Sequence, residues 1–152
     1  MKANTRIFGE IDIDDSKIIN MEKGMIGFPD LKKFALIYNE EREKTVIKWL
    51  QSMDDGDIAF PVMEPQLVKA DYRPSISEDV LEPLGSLDEE NTFVLVTVTV
   101  PKEIEKMTCN LQAPIVINTS TNKAAQMIVE DDSPIRFPIY SLRESSKKKA
   151  GE

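Results

Sequence analysis

The sequence predicts an all-β fold: a small antiparallel β-barrel, or a closely related curved sheet or sandwich, with one or two short helices. Three observations carry this. Short runs rich in β-branched and aromatic residues recur along the 152 residues, turn-forming residues separate them, and a helical pattern is confined to one stretch near residue 80. With so many strands at short spacing and no βαβ rhythm, closure into a barrel is favoured because it removes unpaired strand edges.

Thr5 to Ile13 alternates, placing Ile7, Gly9, Ile11 and Ile13 on one face and Arg6, Phe8, Glu10 and Asp12 on the other, the period of one half-buried strand. Further strands are expected at Lys17 to Met21, Lys33 to Tyr38, Thr45 to Ser52, Ile58 to Met63, Thr92 to Val100, Met107 to Leu111, Ile115 to Asn118 and Ala124 to Val129, about nine in all. Asp54-Asp55-Gly56-Asp57 reads as a hairpin loop, and Thr119 to Lys123, centred on Asn122, reads as another. Sequential antiparallel pairing follows. A proline lacks the N–H that a central ladder needs, so Pro29, Pro61, Pro65, Pro101 and Pro114 should mark strand ends, bulges or edges. The helical stretch runs from Ser77 to Leu84, with Ser77 as N-cap, Glu78 and Asp79 in the first turn and Gly85 as the stop.

Residues 1–142 fit one domain, since a chain with 41% hydrophobic residues can bury a core of ordinary size. Residues 143–152 form a basic tail without bulky apolar groups, expected to be disordered. The net charge is −8, and four basic and two acidic residues in the tail leave residues 1–142 at −10. Acidic clusters recur at Asp14-Asp15, Glu40-Glu41, Asp54-Asp55 with Asp57, Glu78-Asp79, Asp88-Glu89-Glu90 and Glu130-Asp131-Asp132. Such a field repels phosphate backbones, which argues against direct nucleic-acid binding, and it suits either a basic protein partner or plain solubility. One cysteine, Cys109, forms no internal disulfide, and the opening Met-Lys-Ala-Asn-Thr-Arg lacks the apolar stretch of a secretory signal, so a reducing cytoplasm is expected. The apolar run Phe93 to Val100 is far shorter than the roughly 20 residues that span a bilayer, so no membrane segment is expected.

The absence of histidine excludes Ser/His/Asp and Cys/His nucleophile activation together with His-based zinc sites. Neither G-x-x-x-x-G-K-[ST] nor G-x-G-x-x-G occurs, and the acids around Asp54 to Asp57 lack the ligand order and closing glutamate of a calcium loop. No enzyme activity, cofactor or metal is expected. Cys109 reads as a small buried residue, and Trp49 fits either the core or an interface anchor.

The segment Glu64 through Asp79 mixes exposed acids with an aromatic, as a surface for a basic or amphipathic partner would. Its candidate contact residues are Glu64, Asp71, Tyr72, Glu78 and Asp79, with Tyr72 alternatively packing against the barrel. Asn110 and Gln112 belong to Asn110-Leu-Gln-Ala-Pro-Ile-Val-Ile-Asn118, where a strand is interrupted at Ala113-Pro114 and resumes, as at a barrel corner with two asparagines capping open backbone groups. This segment fits either scaffold or partner contact. Gly24 and Gly27 permit unusual backbone angles, and Phe28-Pro29 reads as a core plug followed by a fixed turn.

Gly24-Met-Ile-Gly-Phe-Pro29 resembles the Gly-x-x-Gly-Phe-Pro turn of the FliW family of flagellar assembly factors. Leu50-Gln51-Ser52, Ala59-Phe-Pro-Val62, Asp71-Tyr72, Asn110 to Asn118 and Ala125-Gln126 agree with that family in order and spacing, covering roughly residues 5 to 140. The resemblance implies a cytoplasmic binding protein, monomeric when free, that binds the RNA-binding translational repressor CsrA and relieves its repression of flagellin synthesis. It also implies binding to flagellin, chaperone-like, so that flagellin level controls its own translation. The charge count adds the expectation that CsrA is antagonised non-competitively, through negative potential placed beside its RNA-binding surface.

Overall fold

The computed structural model describes residues 1–37 and 47–139. Within these residues eleven strands run in the order β1 (Lys2–Thr5), β2 (Gly9–Asp12), β3 (Ile19–Asn20), β4 (Lys33–Ile37), β5 (Lys48–Ser52), β6 (Ala59–Met63), β7 (Thr92–Thr99), β8 (Thr108–Cys109), β9 (Ile115–Asn118), β10 (Lys123–Gln126) and β11 (Phe137–Pro138). The one α-helix among the described residues, α1 (Glu78–Leu81), runs into a 3-10 turn at Glu82–Leu84. Strands β3, β4, β5, β6, β7, β9 and β10 close on themselves through the β7–β9 pairing, so the expected barrel is present. Its ladders are antiparallel except at β3–β10, a parallel joint of a single residue pair, Lys123↔Asn20. The ends of two expected strands, at Tyr38 and Thr45, and the tail at 143–152 lie outside the described residues.

Three apolar clusters organise the packing. The barrel interior holds Met21, Met25, Phe34, Leu50, Val62, Leu95 and Ile115. β7 is buried on both faces: Phe93 and Leu95 face the interior, while Val94, Val96 and Val98 face a second cluster with Met63, Tyr72, Met107, Cys109, Leu111 and Ile139. A third, of Ile18, Ala35 and Met53, lies under the β1–β2 hairpin. Sealing of β7 on both sides is why Phe93 to Val98 is apolar at every position but Thr97.

Thr5 to Ile13 is not one strand. The Thr5 hydroxyl accepts the Phe8 N–H at 2.9 Å and donates to the Gly9 carbonyl at 2.8 Å, and Gly9 takes φ +68, so the chain reverses there and β2 folds back on β1. The alternating pattern holds only from Gly9 onward, and Lys2–Thr5 is the strand that pattern reading missed. The Asp54–Asp57 loop behaves as expected. Asp54 Oδ2 accepts the Lys32 and Lys33 N–H groups (2.7 and 2.9 Å), and Gly56 lies so close to the β1 backbone that a Cβ would meet the Asn4 carbonyl oxygen.

The prolines fall at ladder gaps. Pro61 sits inside β6 opposite Trp49, but β7 begins to pair one residue later, at Val62↔Thr97, so one side of Pro61 faces no strand. Pro114 lies at the predicted corner. Both β8 and β9 pair the same edge of β7, yet three residue steps of β7, from Val98 to Leu95, face six from Cys109 to Ile115. The extra residues bulge out and drive Leu111 into the second cluster. Asn110 Oδ1 accepts the Gln112 N–H (3.0 Å), and Asn118 Oδ1 accepts those of Ser120 and Thr121 (2.9 and 3.3 Å), which is the capping expected of the two asparagines.

Phe28 is not a core plug. Met25 and Phe28 bridge across a tight turn with Gly27 at φ +89, the left-handed position a type II turn demands. Met25 then points inward, whereas Phe28 is 40% exposed and stacks edge-on against Phe60 with centroids 5.4 Å apart. Gly24 has two constraints, φ +69 and a site where a Cβ would lie 2.5 Å from the Phe28 carbonyl oxygen.

Candidate partner-binding surface

The predicted surface begins where β6 ends. Pro65 opens a 3-10 turn at Pro65–Leu67, with the Val68 N–H on the Pro65 carbonyl at 3.1 Å, and the Tyr72 N–H closes on Lys69 at 3.0 Å. This compact path carries the chain over the second cluster and delivers Tyr72 into it. Tyr72 is 2% exposed and its hydroxyl donates to the Leu111 carbonyl at 2.5 Å, satisfying a bulge carbonyl that the ladder leaves open. Burial, then the nearby Asp131 and Cys109, push its phenol up to about 12. Of the two readings left open for Tyr72, packing is the one observed, and Asp71, Glu78 and Asp79 face solvent together with Gln66, Leu67 and Arg73. Asp71 is exposed beside Lys69 (3.9 Å), a long pair in solvent that adds little stability, and Glu64 is half-buried beside Lys48 (3.8 Å).

The Tyr72–Leu111 bond brings two predicted segments together, because Asn110 and Gln112 flank Leu111 and are both half-buried. Asp131 joins them from the far side. Its carboxylate is held below the ordinary range chiefly by the Ser133 hydroxyl and amide, with the Ser75 amide contributing. Sequence reading noted the Glu130-Asp131-Asp132 cluster without placing it here, and only the long-range fold supplies that neighbour. Glu78 and Asp79 are exposed on α1. Ser77 holds the cap position without a side-chain cap bond, so α1 is fixed from elsewhere. Fully buried Asn118 donates through Nδ2 to the carbonyls of Leu84 and Ser86 (2.8 and 3.2 Å), and the Thr121 hydroxyl adds a bond to Leu84 (2.9 Å). Asp79 consequently lines a groove between α1 and the turn around Gly24, with β10 as its floor.

Every acidic cluster named from the sequence is exposed where it is described. Several of these acids also hold turns: Asp14 accepts the Ser16 N–H, Asp55 that of Asp57, Asp88 those of Glu90 and Asn91, and Asp131 that of Ser133. One oxygen binds backbone while the charge remains toward water, so local structure and surface field come from the same residues. Cys109 is buried, its thiol pushed up to about 11 by desolvation, far from nucleophile chemistry. Trp49 is half-buried against the edge of Phe8 at 6.4 Å. Among the described residues no group of carboxylates and thiols could hold a metal ion, and no helix is long and apolar enough to cross a membrane.

This architecture has known counterparts. A solved structure titled as the flagellar assembly factor FliW superposes with a TM-score of 0.82 at 29% identity, covering 91% of this chain and 99% of that one. The flagellar assembly factor FliW of Lachnoclostridium phytofermentans is 40% identical, covering all of this chain and 99% of its own length. That of Lachnospira eligens is 41% identical over 93% of this chain and 96% of its own. A family profile described as FliW protein matches residues 2–139, from β1 to the residue after β11. The barrel, the Gly24 turn and the Asn110–Asn118 corner thus lie within one continuous match, and the chain belongs to the FliW family.

Proposed function

We propose that this chain is a flagellar assembly factor that acts through protein binding in the cytoplasm, as a partner switch between CsrA and flagellin. Bound to CsrA it relieves repression of flagellin translation; bound to flagellin it is withheld from CsrA and shields the unassembled subunit. The observation that carries the reading is the match at about 40% identity, over essentially full length, to relatives named flagellar assembly factors. Catalysis is not part of it.

The acidic surface supports a mechanism for the CsrA arm. Residues 1–142 carry −10, and Asp88, Glu89 and Glu90 lie exposed ahead of β7. Docked beside an RNA-binding surface, such a body sets negative potential along the phosphate path, at distances comparable to the roughly 8 Å Debye length, where screening at physiological salt is incomplete. CsrA would then lose RNA affinity without having its RNA site covered, through a coupling free energy that acts in both directions. The test titrates RNA into CsrA at several fixed concentrations of this protein. The proposal predicts that apparent RNA affinity falls to a plateau, and that raised salt or neutralisation of Asp88, Glu89 and Glu90 lifts the plateau. Affinity that falls in proportion to inhibitor without limit, unchanged by neutralisation, means steric competition instead.

A further inference from the structure

The edge of β10 that faces β3 is open beyond its first residue. β10 pairs with β9 in the register Ala125↔Val116 and Gln126↔Ile115, and the same offset continues as Met127 donates to the Pro114 carbonyl (3.2 Å) and Val129 to that of Gln112 (2.8 Å). Antiparallel ladders alternate, so Ala125, Met127 and Val129 direct their N–H and C=O groups to that side, and Ala124, Gln126 and Ile128 direct theirs to the other. There β3 pairs only at Lys123↔Asn20, with the Asn20 N–H on the Asn122 carbonyl at 2.7 Å. The chain then leaves: the Met21 N–H bonds Lys32 on the β4 side (2.8 Å), and the Gly24 N–H closes a turn on Met21 (3.0 Å). Among the described residues nothing bonds the C=O of Ala124 or the backbone N–H and C=O of Gln126 and Ile128; the Gln126 side chain accepts the Ile26 N–H (2.9 Å) and donates to the Ala113 carbonyl (3.1 Å).

A groove runs along this edge, floored by Ala124 and Ala125, with Asp79, Val80 and Leu84 on the α1 side and Gly24 opposite. Bare donors and acceptors repeating every second residue beside an open groove fit one kind of occupant, another β-strand. Charge narrows it further. Glu78, Asp79 and Glu82 are exposed on the α1 side, where no lysine or arginine occurs between Ser77 and Glu90, while Lys23 and Lys123 line the groove away from α1. We propose that the β10 edge accepts an extended segment of a partner protein as an added strand, with a small or β-branched side chain over Ala125 and lysine or arginine toward α1. This holds whichever protein supplies the segment, and so goes beyond the partner switch proposed above.

The test uses the full chain and short synthetic peptides in which lysine alternates with valine or threonine, with glutamate-for-lysine peptides as controls. Binding is read by fluorescence anisotropy and by amide hydrogen exchange. The lysine peptides should bind and slow exchange at Gln126 and Ile128. N-methylating alternate peptide amides should weaken binding about tenfold or more in one register and less than about twofold in the other, since only one set of amides faces β10. Asp79→Lys, an exposed change, should weaken the lysine peptides about threefold and spare the controls. Absence of binding, binding without protection at Gln126 and Ile128, or equal loss from both N-methylation registers overturns the proposal. Protection of those amides that grows with protein concentration alone assigns the edge to a second copy of this chain and overturns it as well.

Discussion

Tyr72→Phe removes one hydroxyl and separates a packing role from a binding role. That hydroxyl donates to the Leu111 carbonyl at 2.5 Å, no other group among the described residues bonds that carbonyl, and the site is 2% exposed. A typical net hydrogen bond contributes about 1 kcal/mol, and an orphaned buried acceptor costs about 1–3 kcal/mol, so the variant should lose about 2 kcal/mol of stability. A pH signature accompanies it. Burial, then Asp131 and Cys109, raise the Tyr72 phenol from 10.0 to about 12. A folded-state value above the unfolded one stabilises fully below about pH 10 and is lost as pH rises through about 12. The interval from 10 to about 12 corresponds to about 3 kcal/mol, so wild type should lose about that much more alkaline stability than the variant. Urea unfolding of both proteins from neutral to alkaline pH measures both quantities, and affinity for CsrA and flagellin should be unchanged. A cost below about 0.5 kcal/mol with identical alkaline slopes would mean that the hydroxyl bonds nothing there, and a large loss of affinity in a stably folded variant would make Tyr72 a contact residue.

Gly24→Ala should destabilise by about 3 kcal/mol, since φ +69 costs a side chain about 1–2 kcal/mol and the new Cβ would lie 2.5 Å from a backbone oxygen; thermal unfolding measures it, and a loss under about 1 kcal/mol contradicts the geometry. Asn118→Ala removes four hydrogen bonds at a fully buried site and should cost about 3 kcal/mol, with faster amide exchange in α1, read by hydrogen exchange. Cys109, buried and raised to about 11, should resist thiol alkylation at neutral pH and react at the rate of global unfolding; rapid labelling of native protein would place it at the surface. Asp71→Ala with Glu78→Lys changes exposed acids only, so stability should stay within about 0.5 kcal/mol while binding to at least one partner weakens; unchanged affinity for both removes this segment from the contact surface.

The barrel was legible because its information is local. Turn residues at Asp54–Asp57 and Asn122, the helix stop at Gly85 and the proline gaps each act within a few positions. Alternation misled at Thr5 to Ile13, where a three-residue turn preserves the period while reversing the chain. It also missed Phe137–Pro138, too short to carry a pattern. The surface was less legible for a related reason. Tyr72 lies in a polar stretch that leaves packing and partner contact both open, and its burial depends on a bulge at Leu111 whose register is set by β7. Asp131 reaches the same place from a distant segment. Phe28 illustrates the limit of motif reading: the glycines fix a turn, but which of Met25 and Phe28 points inward is decided by the bridge between them.

The proposed partner switch requires that CsrA and flagellin exclude each other on this chain. The direct measurement is to load immobilised protein with CsrA, add flagellin in rising amounts, and follow released CsrA together with its recovered capacity to bind RNA. The partner switch predicts that flagellin displaces CsrA in proportion to its own capture and that the released CsrA again binds RNA at full affinity. Stable retention of CsrA while flagellin binds alongside, or failure of either protein to bind, would contradict it.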